Sequence, residues 1–192
     1  MKKQLVSLLF LYSAMTSSSS SFADEQASML LYIQPIEYTH GINLWQPYRN
    51  YWINQGEFVE PIAIEKLRQS YTNISMCEGS QSGKALIWLQ PNLFYNPQVQ
   101  VFYGELTAKV YTGLGKLVGT YVGESKVHGF LNIQADHWIS KTYHVAMENL
   151  ITKMHADTKL EHLSTQTSTE ATETPCSMVT LLPTPKIRTT SF

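Results

Sequence analysis

Charge is scarce in this chain: only 15% of its 192 residues are charged, and 14 Lys and Arg face 15 Asp and Glu for a formal net charge of −1 at pH 7. No strong basic field is available to neutralise phosphates, which argues against a dedicated nucleic-acid binder. Long hydrophobic runs are missing too. No stretch reaches the roughly 20 apolar residues that a membrane-spanning helix needs. The catalytic signatures G-x-S-x-G, H-E-x-x-H and C-x-x-C are absent, and no paired-carboxylate motif or nucleotide loop replaces them. What is present is apolar and aromatic: 43% hydrophobic and 11% aromatic residues exclude a wholly disordered or collagen-like chain. The length suits one core.

The first 23 residues read as a secretory signal peptide. Lys2 and Lys3 form a positive start, Leu5 to Met15 is a short apolar run, and a serine tract leads to Ser21-Phe22-Ala23. Small residues at 21 and 23 place cleavage between Ala23 and Asp24. The apolar run is about half the length of a membrane span, so no transmembrane anchor is expected after cleavage. No Cys lies near the cleavage site to carry a lipid. Without Lys2 and Lys3 the balance is 12 basic to 15 acidic residues, a formal charge of −3. The expected location is periplasmic or secreted.

Two cysteines, Cys77 and Cys176, remain in that oxidising setting and are expected to pair as a disulfide. Closing a loop of nearly a hundred residues contributes about 4–5 kcal/mol in the chain-entropy model, and it would tether the tail. Free thiols or intermolecular pairing are the alternatives.

Four regions follow: the signal peptide 1–23, an aromatic-rich segment 24–59, an α+β core 60–157, and a Ser/Thr/Pro-rich flexible tail 158–192. Met29 to Ile33 reads as a buried strand ended by Pro35. In Leu44-Trp45-Gln46-Pro47-Tyr48-Arg49-Asn50-Tyr51-Trp52-Ile53, the rings of Trp45, Tyr48 and Trp52 fall at i, i+3 and i+7, which predicts a short helix or turn. Trp45, Tyr48, Tyr51 and Trp52 are the candidate binding residues, for a protein partner or by stacking on sugar faces. The competing expectation is that these rings cover the sheet as core.

Pro61 to Tyr71 carries Ile62, Ile64, Leu67 and Tyr71 at helical spacing, with Pro61 expected in the first turn. Ser75 to Lys84 reads as loop. Ala85 to Leu89 is an apolar strand, stopped by Pro91, and Asn96-Pro97 turns the chain into a second strand from Val99. The apolar parity of that strand flips near Gly104, which predicts a β-bulge there. A turn at Gly113 to Gly115 then pairs Val110 with Val118, Ala108 with Thr120 and Leu106 with Val122. The glycines do not form a phosphate loop, because Val110 stands where a Walker loop needs Gly and Leu117 follows Lys116.

From Ala135 to Ala156 the period becomes helical, with Ile139, Tyr143, Ala146, Met147, Leu150, Ile151 and Met154 on one arc. His137, His144 and His155 flank that arc. His144 and Glu148, at i and i+4, are weak candidates for a metal site or an acid–base pair; no other ligand is identified, and neither a metal nor another cofactor is expected. Half-exposed packing accounts for the histidines more simply. Beyond residue 157, Ser and Thr dominate, with Met178 to Leu182 as a short apolar patch beside Cys176 that can add an edge strand, enter a partner's groove or dock on its own domain.

The fold expectation is α+β: one antiparallel sheet of three to five strands, packed by the long C-terminal helix and followed by a disordered tail. The functional expectation is a non-catalytic accessory protein of the cell envelope that binds a protein partner or envelope component. The alternatives are a His- or metal-dependent hydrolase and a glycan-binding module built on Trp45 to Trp52.

Overall fold

A computed structural model describes residues 27–183, except 48, 72, 80, 82 and 166–174. The signal peptide and the end of the tail lie outside the described residues. Strand β1 (Ala27–Ile33) alternates: Met29, Leu31 and Ile33 enter the main core, and Leu30 enters a second cluster behind the sheet. A strand buried on both faces reads as a continuous apolar run, as Met29 to Ile33 does. After a single turn of helix, α1 (Ile36–Thr39), come β2 (Ile42–Gln46), β3 (Arg49–Ile53) and helix α2 (Gln55–Ser70). The chain continues through β4 (Ile74–Met76), β5 (Gly83–Asn96), β6 (Val101–Thr112) and β7 (Leu117–His128) to helices α3 (Ala135–His155) and α4 (Thr158–Thr165) and a 3-10 helix at Pro175–Leu181.

The α+β class, the five strands and the long helix are as expected. The sheet has the order β4-β1-β5-β6-β7, and β2 pairs with β3 separately. It is mixed rather than antiparallel throughout: β5, β6 and β7 form an antiparallel meander, while β1 runs parallel to both β4 and β5. Helix α2 supplies the crossover that a parallel β1–β4 pair requires. Helices α2 and α3 cover one sheet face side by side, α3 on β6 and β7, with α2 toward β1 and β5.

Several local expectations are corrected. Helix α2 begins six residues before Pro61, which sits inside it on the exposed side; Val59, Ile62, Ala63 and Leu67 make the buried stripe that holds it despite the missing N–H. Strand β5 passes through Pro91 because β1 ends its pairing at Leu89, leaving β5 an edge where proline is tolerated. Ile74 to Met76 is a short strand, not loop.

No bulge occurs at Gly104, where β5, β6 and β7 pair without a break. Phe102, Leu106, Ala108 and Val110 share one parity, and Gly104 continues it without a side chain, because a Cβ there meets Thr142 Cγ2 at 2.6 Å. The irregularity falls instead between Val110 and Tyr111. Tyr111 pairs with Leu117, but Val110 pairs with Gly119, Ala108 with Tyr121 and Leu106 with Gly123, one residue beyond the expected register. That slip sets Gly123 beneath α3.

Candidate functional site

Hairpin β2–β3 is the aromatic segment, and it is strand where a helix or turn was expected. Gln46 pairs with Arg49 across Pro47 and Tyr48, so a two-residue connection closes the ladder. Ile42, Leu44, Tyr51 and Ile53 share one face: Leu44 and Ile53 are buried in the main core, and Ile42 and Tyr51 pack partly against it. Tyr51 fastens the hairpin to the start of α3 by donating its hydroxyl to Asp136 Oδ1 at 2.7 Å. That bond, with burial, raises the pKa of the phenol. The period-2 alternation of Leu44, Tyr51 and Ile53 was legible, but the i, i+3, i+7 rings masked it.

The opposite face carries Asn43, Trp45, Asn50 and Trp52. Trp45 stands across from Asn50, and Trp52 from Asn43, so the two indoles occupy diagonal positions. Between them Asn43 Nδ2 donates to Asn50 Oδ1 at 3.1 Å. Trp45 is 56% and Trp52 65% exposed, so the core reading fails for both. The site therefore brings together Trp45 and Trp52 and turns Tyr51 inward. Tyr48 lies outside the described residues.

The histidine candidates are dispersed. Glu148 forms an ion pair with Lys66 of α2 at 2.8 Å. The hydrogen bond and charge of Lys66, with a smaller push from His144, hold Glu148 below the usual carboxylate range. His155 stacks on Tyr71 at 5.3 Å, and His137 meets Trp138 edge-on. Among the described residues, no three His, Cys, Asp or Glu side chains are grouped to hold a metal ion.

Cys77 and Cys176 are joined, with Cα atoms 5.6 Å apart. The link seats Cys176, at 2% exposure, against Leu30 and Leu86 on the sheet face away from the helices. Pro175–Leu181 therefore docks on its own domain as a 3-10 helix, not as an added edge strand, and Thr158–Thr165 is helical.

No family model matches the sequence, and no curated protein matches it. The chain is similar to the crystal structure of a Xanthomonas campestris protein with the family description DUF330. The two share 10% sequence identity and a TM-score of 0.46, over 69% of this chain and 91% of that one. Among the described residues, no helix is long and apolar enough to cross a membrane.

Proposed function

We propose that this protein is an exported, non-catalytic accessory protein of the cell envelope, periplasmic or secreted, that captures a protein partner or envelope component on the outer face of hairpin β2–β3. The observation that carries this reading is the exposure of Trp45 and Trp52 on one face of a hairpin whose other face is anchored in the core. Two large indoles left in water on a rigid support are the anchors from which interfaces draw their energy. The signal-like residues 1–23 and the Cys77–Cys176 bond support export, since disulfides persist outside reducing compartments.

The test is affinity capture from envelope extract with mature protein 24–192, beside the Trp45→Ala/Trp52→Ala variant. Neither ring lies in the core, so the variant is expected to keep its stability within about 0.5 kcal/mol and lose capture. Undiminished capture removes the hairpin from the reading. The Asn43–Asn50 pair between the indoles favours glycan as a second reading, since amide groups beside aromatic faces suit sugar hydroxyls. Retention on isolated peptidoglycan that vanishes in the double variant selects glycan over a protein partner.

A further inference from the structure

The sheet face away from the helices holds a second surface, and the chain covers it itself. Leu30, Tyr32 and Gln34 continue one parity of β1, and Leu86 and Trp88 are their neighbours on β5. From β6, Tyr111 packs into the same cluster, and the Lys109 ammonium lies 4.6 Å from the centre of the Trp88 ring. Residues 175–183 run along this floor as a strap. Val179 packs on the Leu30–Leu86 cluster, and Gln34 Nε2 donates to Pro183 O at 3.2 Å, so the strap passes the level of Tyr32 and Trp88 between those points.

Beyond Val179 and the Gln34 bond, Met178 rests over Gly115, where a Cβ would come within 2.8 Å of Met178 Cε, while Leu181 is 83% exposed. The Cys77–Cys176 bond is the covalent hold on this segment. Beneath lies an unused donor: Trp88 is 1% exposed, and among the described residues no acceptor reaches its Nε1. A buried indole N–H without a partner is costly, and natural proteins satisfy most such groups. This floor therefore offers apolar area, on which the 3-10 helix of residues 175–181 is seated, together with one hydrogen-bond donor that this segment leaves unmet.

We propose that the outer sheet face around Trp88 is a peptide-docking groove occupied by the chain's own residues 175–183, and that reduction of Cys77–Cys176 opens it. A dithiol, such as the paired thiols of a disulfide reductase, is the reductant. Its thiolate bonds to Sγ of Cys77, the less buried partner, and Cys176 leaves as a thiolate that takes up a proton. The second thiol of the reagent then closes its own disulfide and releases the Cys77 thiol. Two electrons and two protons pass to the protein.

The experiment uses full mature protein labelled with fluorotryptophan, whose four indole signals are assigned through Trp45→Phe, Trp52→Phe and Trp138→Phe, leaving Trp88. On reduction with dithiothreitol, complete by thiol titration, amide exchange over 175–183 is expected to accelerate on the order of tenfold or more. The Trp88 signal shifts and becomes sensitive to a paramagnetic solvent probe, while Trp138, on α3, stays in place. Cys77→Ser/Cys176→Ser reproduces this state without reductant. Adding a peptide of residues 175–183, with Ser in place of Cys176, moves its Trp88 signal back. Unchanged exchange and an unchanged Trp88 signal in the fully reduced protein overturn the proposal. Simultaneous loss of the Trp138 signal also overturns it, because the disulfide then holds the whole domain rather than a gate. So does a Trp88 signal indifferent to the peptide.

Discussion

Tyr143 has no solvent exposure, and its hydroxyl donates to Gln55 Oε1 at 2.8 Å across the seam between α3 and α2. Gln55 in turn donates through Nε2 to Glu37 Oε2 at 3.1 Å, so one chain of polar groups, buried at Tyr143 and Gln55 and part-buried at Glu37, ties α1, α2 and α3 together. Tyr143→Phe keeps the ring and strands the amide oxygen. The expected cost is about 1–3 kcal/mol, read as a lower urea midpoint, and a midpoint equal to that of the parent refutes it. Tyr121→Phe, whose partner Asp157 reaches water, is expected to cost less. The inward position of Tyr143 on the helical arc was readable from spacing. Its partner Gln55 was not, because a polar residue gains a buried role only when two helices bring it to a donor.

At the scale of elements, the contact between α3 and β7 depends on glycine. A Cβ on Gly123 would lie 2.1 Å from Ala146 O and 2.6 Å from Leu150 Cβ, both fixed parts of α3. Gly123→Ala is therefore expected to lift the helix and cost about 1–3 kcal/mol or more by thermal or urea unfolding. At Gly119 the nearest atom is the tip of the Tyr121 side chain, which can swing aside, so Gly119→Ala is expected to cost less. The reverse order would refute this account of the seam. The arc of α3 was legible from Ile139 to Met154, since its periodicity is a local property. The one-residue slip in β7 was not, because the fit of Gly123 under α3 involves a helix packed from later in the chain. The β2–β3 hairpin failed at the same scale: spacing of rings suggested a helix, whereas the decisive groups, Leu44 and Ile53, owe their direction to the core they meet.

For the whole molecule, the free edge of the sheet at β7 is capped by side chains of α3: Lys153 Nζ donates to Val122 O at 2.6 Å, and Glu124 N donates to Asn149 Oδ1 at 3.3 Å. Such capping blocks edge-to-edge pairing between molecules. Tyrosines set the alkaline limit of the fold. Burial pushes Tyr71 up to about 12 and also raises Tyr38, Tyr121 and Tyr143 well above the ordinary phenol value; hydrogen bonds to Glu60 and Asp157 add to the effect at Tyr38 and Tyr121. Phenols of the unfolded chain lose their protons near pH 10. As pH rises past that point the unfolded state releases protons that the folded state retains, so stability is full below about pH 10 and falls above it. For Tyr71 the loss runs from about 10 to about 12. The share of tyrosinate absorbance that belongs to these four phenols is expected to rise together with unfolding rather than ahead of it; complete titration of all tyrosines in the folded protein near pH 10 would contradict the burial.

Local chemistry in the sequence determined the α+β class, the buried run of Met29 to Ile33, the arc of α3 and the pairing of the only two cysteines, since propensity, periodicity and cysteine count act without long-range partners. Tertiary structure alone decided that β1 runs parallel between β4 and β5, that β7 slips to set Gly123 under α3, that Trp45 and Trp52 face water, and that Cys176 and Val179 pack on the Leu30–Leu86 face of the sheet. Each of these is a contact between segments far apart in the chain. Burial of one side chain then depends on which distant surface arrives to cover it, and no local pattern carries that information.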